Sequence, residues 1–180
     1  MSQAPPADPA IGLGQIEAAD PTFDLELFKR QAADTFVAVK QGIESQDLSA
    51  VMDQVSANVY DDLRVEVMGL EARGAVRQYG GLSPISIVVA AAIHGPEGDA
   101  ITLQIRSLAP DDLGTFTEYW SFTRPQVTGA ATRENECPNC GAPIDIDTGR
   151  ICRFCNTLLP NRQTQTGWVV AAIRPAQENL

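Results

Sequence analysis

The sequence predicts an α+β domain in which three N-terminal helices pack on an antiparallel β-sheet, with a four-cysteine zinc ribbon inserted near the end of the sheet. Three observations indicate this fold. Apolar residues recur every three or four positions up to Gly74, β-branched and alternating segments follow Gly80-Gly81, and all four cysteines lie in one short segment. Helices followed by a run of strands are typical of α+β domains.

The helical half is expected to follow a flexible lead-in over residues 1–15. Asp20 and Pro21 predict the start of the first helix, because Asp is a good N-cap and Pro is tolerated at the first helical position. Asp47 is expected to cap a second helix, and a third helix ends near Gly74. The apolar stripes of these helices are Phe28, Ala32, Phe36, Val39 and Ile43; Leu48, Val51, Met52 and Val55; and Val59, Leu63, Val67 and Leu70.

Four strands are predicted after Gly80-Gly81. Turn sequences rich in Gly, Pro and Asp separate the first three strands, and β-branched and aromatic residues fill them. The predicted strands are Ile85–His94, Ile101–Arg106, Thr115–Thr123 and Gly167–Ile173. The body of the domain therefore comprises residues 16–124 and 167–174, the cysteine segment 125–166 interrupts its last hairpin, and residues 175–180 form a tail.

The four cysteines form two C-x-x-C pairs, Cys137 with Cys140 and Cys152 with Cys155, separated by eleven residues. Each pair places two sulfurs on one tight turn, and two such turns supply the four thiolates of a closed tetrahedral zinc site. The segment has too few apolar residues to fold alone, so metal binding is expected to supply its folding free energy. We predict one structural Zn²⁺; iron, a thiol–disulfide pair and a vacant site stay open as alternatives.

Charge is distributed unevenly along the chain. The formal net charge is −10, yet between Gln126 and Thr166 four arginines balance four carboxylates, so the acidity belongs to the rest of the chain. Nucleic acids and anionic lipids attract basic surfaces and are therefore disfavoured as partners. No basic stretch followed by an apolar one is found at the N-terminus, so we expect a cytoplasmic protein that contacts a membrane only peripherally, through a partner.

Three sequence motifs together resemble one known family. They are Asp20-Pro21-Thr22-Phe23 before a long helix, Glu118-Tyr119-Trp120-Ser121-Phe122-Thr123-Arg124 running into the first cysteine pair, and Trp168–Ile173 after the second pair. From about Gly12 to Arg174 the chain resembles the bacterial Tim forty-four-like domains that carry a zinc ribbon. The resemblance implies the cone-shaped α+β fold of the nuclear transport factor two-like superfamily, with a curved sheet wrapped around a helix. It also implies a scaffold role, because the mitochondrial relative tethers the import motor to the translocation channel.

The first functional hypothesis is a non-enzymatic protein-binding adaptor or scaffold. A metal-stapled ribbon is a rigid projection that suits contact with a protein partner. The side chains expected to form its contact patch are Asn139, Arg150, Arg153 and Phe154. The resemblance further implies that copies of the chain can pair through the exposed sheet.

The alternative hypothesis is a small-molecule-binding protein or an isomerase-like or dehydratase-like enzyme that uses the pocket of the cone. Glu118 is the candidate acid or base, because it shares strand parity with the aromatic residues Phe116, Trp120 and Phe122. If Glu118 faces inward, burial raises the pKa of its carboxyl unless Arg106 or another cation pairs with it. His94, the single histidine, is interpreted as a turn residue, since no partner motif accompanies it. A nucleic-acid-binding ribbon is the third hypothesis.

Overall fold

The computed structural model describes residues 8–108, 114–124, 140, 142, 154–155 and 167–176. Helices precede a single sheet, as predicted, and the α+β class is confirmed. The elements are α1 Pro9–Ala19, α2 Leu25–Ser45, a short 3-10 helix Ser49–Val51, α3 Ala57–Ala72, β1 Pro84–Gly95, β2 Gly98–Leu108, β3 Thr115–Arg124 and β4 Val169–Pro175. The strands lie in the order β1-β2-β3-β4, and every neighbouring pair is antiparallel. Over the ranges given above, no helix has both the length and the apolar character needed to cross a membrane.

Helix α1 occupies part of the region that the sequence predicts as a flexible lead-in. Asp8 caps it, accepting a hydrogen bond from the backbone N–H of Ala10, and Pro9 is its first residue. Ile16 is fully buried, and Gly12 lies directly against the backbone of Ala92 in β1. The sequence did not predict this helix because α1 has almost no amphipathic periodicity, and its apolar residues form no stripe. The helix is buried through its packing against β1.

The first predicted helix begins four residues later than expected. Asp24, rather than Asp20, caps α2 by accepting a hydrogen bond from the backbone N–H of Leu27 at 2.9 Å. Asp20 instead accepts hydrogen bonds from the backbone and the hydroxyl of Thr22. The predicted apolar stripe of α2 is confirmed, because all five of its members are buried.

The second predicted helix is a single 3-10 turn. Three of its four predicted apolar residues are nevertheless buried, with Val51 fully inaccessible and Val55 forming a parallel bridge to Val170 of β4, while Met52 is half-buried. The backbone of the segment pairs with β4, since Val170 N–H donates to Gln54 and Ser56 N–H donates to Val170. This pairing with β4 uses backbone groups that a helix would need for its own hydrogen bonds. The spacing of the apolar residues was therefore not enough to predict whether the segment is helical. Helix α3 follows as predicted, with its stripe buried.

The core lies between α2 and the inner face of the sheet. Alternate residues of β2 and β3 enter it, and Ile101, Leu103, Ile105 and Trp120 are fully buried. Aromatic rings of the two layers meet edge to face, Phe28 on Phe122 and Phe36 on Trp120, at centroid distances of 5.3 Å. Thr123 of β3 pairs with Val169 of β4, so the cysteine segment leaves and rejoins the sheet at adjacent positions.

The contact between α1 and β1 predicts opposite effects for two glycines of the same helix. A Cβ atom on Gly12 would lie 1.9 Å from the Ala92 carbonyl oxygen, whereas one on Gly14 would meet no atom within 4 Å. We expect Gly12→Ala to destabilise the fold by about 1–3 kcal/mol through overpacking, and Gly14→Ala to stabilise it by roughly 0.5–1 kcal/mol. Urea unfolding of the two variants checks this, and equal effects would show that α1 does not pack on β1.

Candidate functional site

Glu118 faces the core and is fully engaged by two partners. Its side chain lies in β3 between those of Phe116 and Trp120, as the strand parity predicts. One oxygen, Oε1, accepts a hydrogen bond from Lys40 Nζ at 2.7 Å, and Oε2 accepts one from Trp120 Nε1 at 2.9 Å. The side chains of Lys40 and Glu118 are only 7% and 16% exposed, so this is a largely buried ion pair.

Lys40 is the cation that the sequence left unnamed. It lies on the apolar stripe of α2, one turn after Phe36, and its Nζ is 5.3–5.9 Å from the centroids of four aromatic rings. Those rings belong to Phe36, Tyr79, Phe116 and Trp120. Burial raises the pKa of the Tyr79 phenol, against the opposing hydrogen bond from Arg77, so this ring stays neutral beside the ammonium. The sequence signal for this buried cation was a lysine on the apolar stripe of α2.

Arg106 does not take part in this arrangement. It is exposed between the buried residues Ile105 and Ser107, and therefore lies on the outer face of the sheet. Its guanidinium donates to Thr115 Oγ1 at 3.2 and 3.3 Å. The structure thus pairs Glu118 with Lys40 and Trp120 instead of with Arg106. Arg106 and Glu118 share only the lining of a cavity of about 830 Å³.

A cavity of about 520 Å³ reaches this ion pair from the side of α3 and β4. Its lining mixes apolar and charged side chains, and Lys40 and Glu118 are among them. Both carboxylate oxygens of Glu118 already accept hydrogen bonds, so a ligand that reaches Glu118 meets a neutralised ion pair rather than a free carboxylate.

A second cluster of charges surrounds Arg124, the last residue of β3. Arg124 Nη1 donates to Asp20 Oδ2 at 2.6 Å, and its Nε and Nη2 donate to Asp99 Oδ2 at 3.2 and 2.7 Å. The guanidinium carbon lies 4.9 Å from the ring centroid of Trp168 and 5.8 Å from that of Phe23. This Arg124 cluster therefore joins the α1–α2 connection, β2, β3 and the residue that precedes β4.

The Arg124 cluster stays ionised at neutral pH. Burial alone lowers the pKa of Arg124, but the hydrogen bonds and charges of Asp99 and Asp20 outweigh it and raise that pKa. The hydrogen bonds from Thr22 and Arg124 lower the pKa of the Asp20 carboxyl. Arg124 and Trp168 border the cysteine segment on its two sides, so the charges hold both ends of that segment to the body.

His94 has a partner that the sequence did not indicate. Its Nδ1 lies 2.6 Å from Asp99 Oδ1, and the two residues face each other across the β1–β2 hairpin. The interpretation of His94 as a turn residue without a partner is therefore corrected. The register of the hairpin creates the pair, and a five-residue separation around a Gly-Pro turn was the only sequence signal for it.

Half of the predicted metal ligands lie within the described residues. Cys140 and Cys155 each lie in a turn, which is the local geometry that a C-x-x-C pair needs, whereas Cys137 and Cys152 lie outside the described residues. The described residues contain no group of three or more metal-ligating side chains, but they include only two of the four cysteines. Two turn-borne thiols fit half of a four-cysteine site.

One residue of the predicted contact patch, Phe154, lies within the described residues. Phe154, next to Cys155, is 70% exposed. Asn139, Arg150 and Arg153 lie outside the described residues.

The chain matches no protein-family model, no curated protein and no solved structure at a significant level. The resemblance to the Tim forty-four-like domains therefore stays a prediction.

The buried ion pair predicts a large cost for losing its cation. Lys40→Met leaves the Glu118 carboxylate buried without a counter-charge, so we expect a loss of about 3–5 kcal/mol in the free energy of unfolding. Adding Glu118→Gln should restore part of that loss, because the amide needs no counter-charge. Lys29→Met is the matched control: Lys29 pairs with Glu26, which is 74% exposed, and we expect a change of at most about 0.5 kcal/mol. Equal costs in urea unfolding for the two lysine variants would contradict the buried pair.

The Arg124 cluster predicts a stability difference that depends on pH. The pKa of Asp20 is lowered from 3.8 in the folded chain. A carboxyl of this kind stabilises the fold above its unfolded pKa, and this contribution is lost as the pH falls through the folded pKa. We therefore expect Asp20→Asn to be less stable than wild type at neutral pH, with the difference shrinking below pH 3.8. Denaturant unfolding across this range measures it, and a difference that does not depend on pH would contradict the ionised contact.

Proposed function

We propose that this protein is a non-enzymatic protein-binding adaptor, in which a cone-like α+β body presents a zinc ribbon over residues 125–166 to a protein partner. The observation that carries the proposal is Phe154, which is 70% exposed beside Cys155. Aromatic side chains are enriched in protein interfaces. A phenylalanine held by a metal-stapled turn loses little conformational freedom when a partner covers it, which favours binding.

The attachment of the ribbon to the body supports the same proposal. Arg124 and Trp168 lie on the two sides of the insertion, and the guanidinium of Arg124 packs on the Trp168 ring at 4.9 Å. Asp20 and Asp99 hold that guanidinium from the α1–α2 connection and from β2. An adaptor has to hold a bound partner in a fixed position relative to its own body. The contacts of Arg124 and Trp168 fix the two ends of the insertion to the body in this way.

The proposed ribbon holds one zinc ion through Cys137, Cys140, Cys152 and Cys155. Four thiolates fill the tetrahedral coordination sphere and leave no position for a substrate, so the metal stabilises structure instead of supplying chemistry. The zinc and its ligands then act by keeping the contact residues in place.

The placement of the motif residues supports the proposed relation to the Tim forty-four-like domains. The resemblance was carried by separate parts of the sequence, and Asp20, Phe23, Arg124 and Trp168 from those parts contact one another. Residues that contact one another in the fold are expected to occur together in related sequences, because each depends on the others for its packing or its charge. This supports a common fold, including its cone-like shape, and a scaffold role for the chain.

The outer face of the sheet is the second proposed contact surface. Val88 and Ile93 of β1 are 52% and 59% exposed on it. Pairing of two copies through this face would cover both side chains, so the proposal includes a homo-oligomer. The enzyme alternative is weaker, because both oxygens of Glu118 are engaged by Lys40 and Trp120.

The test compares partner capture by three variants of the full chain. Phe154→Ser should lose a captured protein while keeping one zinc per chain by elemental analysis. The double variant Cys137→Ser, Cys152→Ser should lose both the zinc and the partner while keeping the helical circular dichroism of the body. Val65→Ser is the matched control, since Val65 is 68% exposed on α3 and should be neutral. Capture of the same proteins by Phe154→Ser as by wild type would refute the contact role of the ribbon.

A further inference from the structure

A cavity of about 670 Å³ opens beside the Arg124 cluster. The aromatic rings of Phe23, Phe28 and Trp168 line it together with Leu27, whose side chain is 48% exposed at this position. Polar groups of His94 and Asp99 also line it. Its lining thus combines these apolar side chains with charged and polar ones, and its volume lies within the range of small-molecule sites.

The surroundings of His94 determine which of its ring nitrogens carries a proton. The Asp99 side chain is 7% exposed, and Arg124 donates to its Oδ2, which favours the ionised carboxylate. An ionised carboxylate only accepts hydrogen bonds, so the Nδ1 atom that lies 2.6 Å from Oδ1 must carry the proton. Neutral His94 therefore has an unprotonated Nε2, which is a hydrogen-bond acceptor and a base.

The Nε2 atom is available to a ligand. Within the described part of the chain it has no hydrogen-bond partner, and the His94 side chain is 27% exposed where it lines the cavity. A carboxylate that orients a histidine through one nitrogen and leaves the other facing a cavity is the arrangement used in general-base and ligand-binding sites.

The charge of the cavity selects among ligands. Among the described residues, Asp20, Asp24 and Asp99 border it with the guanidinium of Arg124, so this part of the lining carries a net charge of −2 while His94 is neutral. Such a lining repels anions and accepts uncharged or cationic molecules. The partly exposed rings of Phe23 and Trp168 favour a planar ring in the ligand.

We propose that this cavity binds a small ring compound, uncharged or cationic, that carries a hydroxyl group and donates it to Nε2 of His94. The ring packs against Phe23 and Trp168. This inference goes beyond the adaptor role and does not depend on the zinc ribbon, because every residue that it uses belongs to the body or precedes β4.

Nuclear magnetic resonance tests the proposal directly, since His94 is the only histidine of the chain. In protein labelled with ¹⁵N at histidine, the neutral imidazole should show the Nδ1–H form. Four phenyl probes separate the two requirements: 4-ethylphenol against 4-ethylanisole for the hydroxyl donor, and tyramine against 4-hydroxyphenylacetate for charge. We expect 4-ethylphenol and tyramine to shift the Nε2 resonance saturably, with 4-ethylanisole and 4-hydroxyphenylacetate binding at least about fivefold more weakly.

Two variants test whether the probes bind in this cavity, and the shift of the Trp168 indole N–H signal measures their binding. His94→Phe should weaken 4-ethylphenol binding about fivefold to tenfold, because it keeps a ring but removes the acceptor. Glu97→Gln, at the exposed hairpin turn outside the cavity, should leave that binding unchanged. The proposal is overturned by a neutral imidazole protonated at Nε2, by 4-ethylanisole binding as tightly as 4-ethylphenol, or by no saturable shift with any probe. These wild-type outcomes decide the question even if His94→Phe fails to fold.

Discussion

The need to neutralise Arg124 organises one end of the molecule. Its side chain is 15% exposed, and a guanidinium removed from water must have its N–H groups paired. Asp20 and Asp99 supply the acceptors, while Phe23 and Trp168 cover the planar group. These partners come from separate parts of the chain, so the α1–α2 connection, the hairpin of β1 and β2 and the two ends of the cysteine segment are brought together by one cation.

Lys40 plays the equivalent part deeper in the core. Both cations tie a residue of β3 to the helical layer, Arg124 through Asp20 and Lys40 through Glu118. Apolar burial drives the two layers together but has no direction. Two directional ion pairs, one at the last residue of β3 and one nearer its middle, favour a single alignment of the helices on the sheet. The same pairing leaves Glu118 neutralised, which is why the deeper cavity is a poorer place for acid–base chemistry than the one beside His94.

The sequence predicts those parts of the fold that depend on local pattern. The stripe of α2, the third helix and the inward parity of Glu118 follow from periodicity, and each is found in the structure. What could not be predicted depends on contacts between distant segments. Helix α1 has no stripe of its own, the segment around Val55 pairs with β4 instead of forming a helix, and His94 meets Asp99 only once the hairpin register is set. Asp20 and Asp24 both have the residue type of an N-cap. Asp24 caps α2, because Asp20 accepts a hydrogen bond from Arg124 instead.

The two proposed activities meet at Trp168. Its ring lines the cavity beside His94, covers the guanidinium of Arg124 and precedes the strand on which the chain returns from the cysteine segment. A ligand packed on this ring contacts the group that anchors the proposed ribbon. Binding free energies at two sites are coupled when both sites bias the same element, and the coupling is reciprocal. A partner on the ribbon that alters the position of Trp168 must therefore change ligand affinity by the same factor by which the ligand changes partner affinity, while a partner that leaves this ring in place shows no coupling.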